Sequence, residues 1–183
     1  MVSDELHIWQ ARLDGGRWPP PERLPAAERD RAAGMGSAVG RRWVAARWAL
    51  RGVLGRYLEE EPAEIGLRFG ERGKPALADS QASLRFNLSH SGELALIAIG
   101  VEREVGVDIE RVGSKPADFY VAWTQREATA KCLGTGLWAP LPDAPVAVAA
   151  LDAEPGFAAA VAVAGDSVPP LRRFTAEPER IGG

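Results

Sequence analysis

From Glu5 to Leu13 a mostly apolar run carries the polar interruptions of a strand. It closes in Asp14-Gly-Gly-Arg-Trp-Pro-Pro-Pro21, whose glycines and prolines mark a connection. Ala26 to Ala33 is helix-prone and charged, with Glu28, Arg29, Asp30 and Arg31 in succession, the mixture expected of a solvated helix face. A longer helix is expected from Ala38 to Leu58, where Trp43, Ala46, Leu50, Val53, Leu54 and Tyr57 recur at three- and four-residue steps. Arg47 and Arg51 fall off that stripe, and Trp43 reads as core. Gly52 and Gly55 each cost about 1 kcal/mol against alanine inside a helix, which points to close packing against a neighbour.

Ile65 to Phe69 reads as a strand, followed by the glycine-rich loop Gly70-Glu-Arg-Gly-Lys-Pro75, whose backbone suits close approach to a phosphate. Leu84 to Leu88, Leu94 to Val101 and Val105 to Ile109 are three more strands joined by short loops. The first half is therefore a helix on a mainly antiparallel sheet. The second half repeats that order. A helix is expected over Pro116 to Leu133, with Phe119, Ala122, Trp123 and Ala130 for packing and Gly134 as a stop. Strands follow at Val146 to Leu151, Phe157 to Val163 and Leu171 to Ala176. The expected fold class is α+β, with two similar lobes of helix and sheet at residues 1–102 and 103–183.

Composition narrows the function. A chain of 183 residues suffices for one domain or two small lobes. The net charge of -3 supplies no basic field for nucleic acid. One cysteine, Cys132, excludes an intrachain disulfide and a cysteine-rich zinc site. The start Met1-Val-Ser-Asp-Glu-Leu-His-Ile-Trp9 lacks the basic and apolar regions of a signal peptide. No apolar run approaches the roughly 20 residues of a membrane span. A cytoplasmic protein, off the membrane and more readily a monomer than an oligomer, is the expectation.

The candidate chemistry gathers between Leu84 and Arg111. A polar knot, Asn87-Leu-Ser-His-Ser-Gly92, lies between apolar runs. Further on, Asp108 and Glu110 share one strand face while Val105, Val107 and Ile109 share the other. Their carboxylates would stand on the order of 7 Å apart. A hard cation between them would offset the repulsion, and Mg²⁺ favours one or two carboxylates with phosphate oxygens. The plainer reading is an antiparallel strand with one wet face. Glu127 and Lys131, four residues apart, share a helix face about 6 Å apart along the axis, where an ordinary surface ion pair is the plainer reading. A histidine such as His90 beside an apolar strand is commonly a structural side chain.

Taken together, three stretches resemble one family. They are Gly73-Lys-Pro with Phe86-Asn-Leu-Ser-His-Ser-Gly92, then Val105-Gly-Val-Asp-Ile-Glu-Arg111, then Trp123-Thr-Gln-Arg-Glu-Ala-Thr-Ala-Lys131. In this order they are similar to the 4′-phosphopantetheinyl transferases of the surfactin-synthetase-activating (Sfp-like) type, over about Leu6 to Phe174. The resemblance implies a pseudo-dimer in one chain with coenzyme A bound in the cleft. It implies that Asp108, Glu110 and Glu127 hold Mg²⁺ against the coenzyme A pyrophosphate. Lys131 would neutralise phosphate charge, and the Glu127 region would help deprotonate the incoming serine hydroxyl. Ser89 and His90 would contact the 3′-phosphate, with Lys74 and Pro75 lining the adenosine side. Arg31 and Arg42 are the nearest candidates for the basic residues that serve the same phosphate. The implied partner is an acyl or peptidyl carrier protein.

The chain also departs from that pattern. Arg126-Glu127 stands where Lys-Glu is usual, and Thr129 and Ala130 stand where bulkier apolar residues are usual. Between Glu110 and Trp123 the family usually inserts a long, partly helical segment that covers the cleft and meets the carrier. Here only Arg111-Val-Gly-Ser-Lys-Pro-Ala-Asp-Phe-Tyr-Val-Ala122 is present. The expected activity is transfer of phosphopantetheine from coenzyme A to a carrier serine. The rivals are a coenzyme A-binding relative that has lost carrier docking and a scaffold that keeps only the fold.

Overall fold

A computed structural model describes residues 5–70, 74–78, 83–136 and 143–178. Gly73 of the glycine-rich loop and the final Gly182-Gly183 lie outside the described residues. In chain order the elements are β1 (Leu6–Arg12), α1 (Ala26–Ala33), α2 (Ser37–Leu58), β2 (Leu67–Phe69), β3 (Pro75–Leu77), β4 (Leu84–Ser91), β5 (Leu94–Val101), β6 (Val105–Arg111), α3 (Ala117–Leu133), β7 (Val146–Leu151), β8 (Phe157–Ala164) and β9 (Leu171–Ala176). The α+β class follows directly, with mainly antiparallel sheets.

Four layers stack as α2, a first sheet, a second sheet and α3. The first sheet has the order β4-β5-β1-β9 and the second β6-β8-β7. A separate hairpin joins β2 to β3. Strand alternation assigns the faces. In β1, Trp9 and Ala11 pack toward α2 against Ala46, Leu50 and Leu54, while Leu6 and Ile8 pack toward the second sheet. In β5, Ile97 and Ile99 face α2, and Leu94 and Leu96 face the second sheet. With both faces covered, β5 is apolar nearly throughout. On the second sheet Val105, Val107, Ile109 and Val161 turn toward the first, and Ala160 and Ala162 meet Ala128 and Cys132 of α3.

Strand β9 comes from the end of the chain yet pairs in parallel with β1, Leu171 opposite Leu6 and Ala176 opposite Ala11. The last strand thus completes the first sheet and ties the two halves of the chain together. Nothing in the pattern of Leu171 to Ala176 announced that destination.

Two expectations about polar residues are corrected. The run Glu28 to Arg31 is not uniformly solvated, because Glu28 is only 3% exposed. Arg47 and Arg51 lie off the sheet-facing stripe, as expected, yet are buried against Glu28 of α1. Arg51 donates to Glu28 Oε2 at 2.7 Å, and Arg47 Nε stands 2.9 Å from Glu28 Oε1. Arg51 also donates to the carbonyls of Pro62 and Ile65, fixing the chain that leaves α2. The face of β6 that carries Asp108 is not wet, since Asp108 is 2% exposed beneath α3. Trp43 is core, as expected, with the Arg47 guanidinium 5.1 Å from its ring centroid. At Gly55 the close neighbour is the chain's own return, where an added Cβ would lie 2.7 Å from the Glu60 carbonyl.

Candidate active site

The site forms where β4, at the edge of the first sheet, runs beside β6, at the edge of the second. Strand β6 uses one edge to pair with β8. Its other edge meets side chains of β4 rather than a backbone ladder. The Val107 N–H donates to Asn87 Oδ1 at 2.9 Å, the Ile109 N–H to Ser89 Oγ at 3.4 Å, and the Arg111 N–H to Ser91 Oγ at 3.0 Å. Alternation puts those three polar side chains on one face of β4, which explains why the knot reads Asn-x-Ser-x-Ser.

Helix α3 brings the remaining groups. Gly106 lets its backbone lie directly on β6, for an added Cβ would stand 2.0 Å from the Ala128 carbonyl oxygen. Gly134, with a φ of 68°, ends the helix as expected, its N–H donating to the Ala130 carbonyl. Glu127 and Lys131 therefore stand over the carboxylates of β6. Lys131 Nζ lies 2.5 Å from Asp108 Oδ1 and donates to Ser89 Oγ at 3.0 Å. Ser89 in turn donates to Asp108 Oδ1 at 2.8 Å. Lys131 is thus engaged with Asp108, in place of the surface pairing with Glu127 that the four-residue spacing suggested. Ser91 donates to Glu110 Oε2 at 3.0 Å.

Burial pushes the Glu127 carboxyl above its ordinary value; Lys131 opposes the shift, and the negative charges of Asp108 and Glu110 add to it. Those couplings register all four charges in one neighbourhood. His90, next to Ser89 on β4, opens to solvent at its edge. Its pKa lies below the ordinary value because protein crowds the ring and because the Lys131 and Arg47 charges face it.

The donor set suits a divalent cation. Asp108 Oδ2 is buried and accepts no hydrogen bond, an orphaned charge-bearing oxygen. Asp108, Glu110 and Glu127 are the residues that could hold the ion. Among the described residues no three acidic, imidazole or thiol groups already stand at metal-holding spacing, so a cation would draw these carboxylates in.

The other candidates divide. Lys74 and Pro75 line a cavity of about 140 Å³ with Arg68, Arg85, Phe86 and Glu104, where Lys74 pairs with Glu104 Oε2 at 3.0 Å. Arg31 lies on α1 with its guanidinium 5.9 Å from the Trp43 ring centroid. Arg42 is committed to Asp14, donating from Nε at 2.9 Å and from its terminal nitrogen at 2.5 Å. That pair borders a cavity of about 870 Å³, which the candidate carboxylates do not line. Sequence reasoning missed Arg47, buried near His90, and the separate tasks of Asn87 and Ser91. The two-residue alternation of the knot was the signal for the latter.

The known proteins that this chain resembles in sequence carry one class name, 4′-phosphopantetheinyl transferase. It is 36% identical over 116 residues to the transferase HetI of Nostoc sp., covering 60% of this chain and 49% of that protein. It is 32% identical over 124 residues to the putative 4′-phosphopantetheinyl transferase slr0495 of Synechocystis sp., covering 52% and 50%. A third relative, the transferase AcpT of Salmonella typhimurium, is 33% identical over 121 residues, covering 51% and 61%. The chain spans about half the length of the first two curated relatives it matches. No family model matches it. No helix among the described residues is long and apolar enough to cross a membrane.

Proposed function

We propose that the chain transfers the 4′-phosphopantetheine group of coenzyme A to a serine of an acyl or peptidyl carrier protein, with Mg²⁺, releasing 3′,5′-ADP. The Sfp-like type is part of this reading, as is a division into lobes 1–102 and 103–183, which β9 crosses to reach β1. The observation that carries the proposal is the meeting of Asp108, Glu110, Glu127 and Lys131 at one seam. Named relatives of one enzyme class support it.

The reaction joins the serine oxygen to the β-phosphorus and breaks the bond from that phosphorus to the bridging oxygen, which leaves with the nucleotide. A bound divalent cation would supply charge stabilisation at the phosphate oxygens. Glu127, standing over the β6 carboxylates, would take the serine proton. Lys131 lies against Asp108 in the free protein. From this position Lys131 would stabilise the developing phosphate charge. His90 faces the 3′-phosphate, and Lys74 and Pro75 the adenosine.

The test incubates the protein with coenzyme A, Mg²⁺ and several carriers, then weighs the carriers. A mass gain of one phosphopantetheine is expected. Asp108→Ala and Glu127→Ala should abolish it with the fold intact, since a lost metal ligand removes several kcal/mol of transition-state stabilisation. Near-native turnover by either variant at saturating Mg²⁺ would reject the assignment of these carboxylates. Binding of coenzyme A without labelling of any carrier would favour the alternative, a coenzyme A-binding or scaffold relative.

A further inference from the structure

The seam between β4 and β6 repeats one motif. At two successive rungs a β4 serine hydroxyl accepts the N–H of one β6 residue and donates its proton to the carboxylate of the residue before it. Ser89 takes the Ile109 N–H and gives to Asp108; Ser91 takes the Arg111 N–H and gives to Glu110. A hydroxyl has one proton and two lone pairs, so each serine ties backbone register and carboxylate rotamer together through a single atom. Asn87 adds a third rung to the backbone alone, from the Val107 N–H. A strand edge that would otherwise expose unpaired amides is closed by side chains. Those side chains reach the carboxylates across the seam.

Ser89 is also held by Lys131 and buried, so its several tasks are entangled. Ser91 is simpler, half-buried at the end of β4, its hydroxyl meeting Glu110 and the Arg111 amide among the described residues. We infer that Ser91 is a positioning residue, keeping Glu110 at the seam on the same side as Asp108, from where it can close on a divalent cation. The inference rests on the proposed metal-dependent reading of this site, and it assigns Ser91 no contact with substrate. Without the hydroxyl, Glu110 loses its restraint while Arg111 N–H, near the surface, can turn to water.

Calorimetric titration of the full chain with Mn²⁺ tests it, using Ser91→Ala, Ser91→Thr and the nearly isosteric Ser91→Cys. Loss of a group that orients a metal ligand typically weakens metal affinity 10–100-fold. Ser91→Ala and Ser91→Cys should therefore bind Mn²⁺ at least about tenfold more weakly. Ser91→Thr keeps the hydroxyl and should restore affinity to near the native level. The cysteine variant answers the question should the alanine variant not fold. Native affinity in Ser91→Ala or Ser91→Cys would overturn the inference, as would a stably folded Ser91→Thr that binds as weakly as they do. If the native chain binds no Mn²⁺, the metal site itself falls and takes the inference with it. If the variants bind as expected while no carrier is ever labelled, Ser91 keeps its role and only the transfer reading fails.

Discussion

Two histidines show how differently one residue type is used. His90 follows Ser89 on β4 but points to the opposite strand face, with the Lys131 and Arg47 charges acting on it. His90→Ala should weaken coenzyme A binding far more than binding of 3′-dephospho-coenzyme A, because the proposed contact is with the 3′-phosphate. A charge-assisted contact of that kind contributes roughly 1.5–3 kcal/mol. Equal losses for the two ligands in a titration would leave His90 a purely structural role. His7 is buried in the first sheet, where Trp9 Nε1 donates to the Tyr57 hydroxyl at 2.8 Å. The same hydroxyl stands 2.6 Å from His7 Nδ1, tying the imidazole into the same buried polar pair. Burial lowers the His7 pKa below 6.5, with the Arg172 charge in the same direction and Glu5 opposing it. The unfolded chain then takes the proton first, and folding stability is full above pH 6.5 and lost as pH falls through the folded pKa. Urea midpoints at pH 7.5 and 5.5 should converge for native protein and His7→Gln as the pH falls. A constant difference between the two at both pH values would exclude the His7 proton as the cause.

At the scale of elements, Gly106 decides whether the site exists at all. Gly106→Ala would drive a methyl to 2.0 Å from the Ala128 carbonyl and 2.4 Å from the Cys132 nitrogen, both backbone atoms of α3. The helix has to lift, which should cost about 1–3 kcal/mol, the range for overpacking a well-filled core. It should also move Glu127 and Lys131 away from β6. Urea unfolding reads the first effect, and carrier labelling per folded molecule reads the second. Unchanged stability would mean that α3 has slack against β6. The elements themselves were legible because α2 carries a clean three-to-four-residue period and β5 is a short apolar run between turns. Glu28 with Arg47 and Arg51 was hidden for a physical reason. An acid and two bases on helices look solvated one at a time, and only the pairing of α1 with α2 permits their joint burial. The candidate site was legible as a set of residue types, and Asp108, Glu110, Glu127 and Lys131 do meet. Its wiring was not, because the serines serve β6 amides and carboxylates across two sheets that sequence leaves unconnected.

For the whole molecule, the consequential feature is how little chain separates the two elements that build the site. Strand β6 ends at Arg111 and α3 begins at Ala117, leaving only residues 112–116 between them. The Val112 N–H donates to the Gly156 carbonyl at 2.8 Å, which holds the start of this link against the loop before β8. So short a link has no room for the long, partly helical segment whose absence the sequence already shows. The first turns of α3 stand open, with Phe119 37% and Val121 41% exposed. Phe119 stacks on Trp123 at 5.9 Å, and Lys115 Nζ lies 3.9 Å from the Phe119 ring centroid. Phe119, Trp123, Glu127 and Lys131 follow at four-residue steps, so the open aromatic row leads along one helix face to the proposed base. The residues that would meet the nucleotide lie on β3, β4 and β6, apart from this opening. On the proposed reading, coenzyme A affinity should therefore be ordinary, while a carrier would meet a smaller surface than usual. Uniform binding lost in this way raises KM and leaves kcat little changed. Carrier-dependence kinetics before and after grafting a full-length family segment between Arg111 and Phe119 measure the difference. The graft should lower the carrier KM and leave the coenzyme A KM alone. A native chain that already labels many unrelated carriers with low KM would show that the short link costs nothing, the aromatic row of α3 then sufficing for docking.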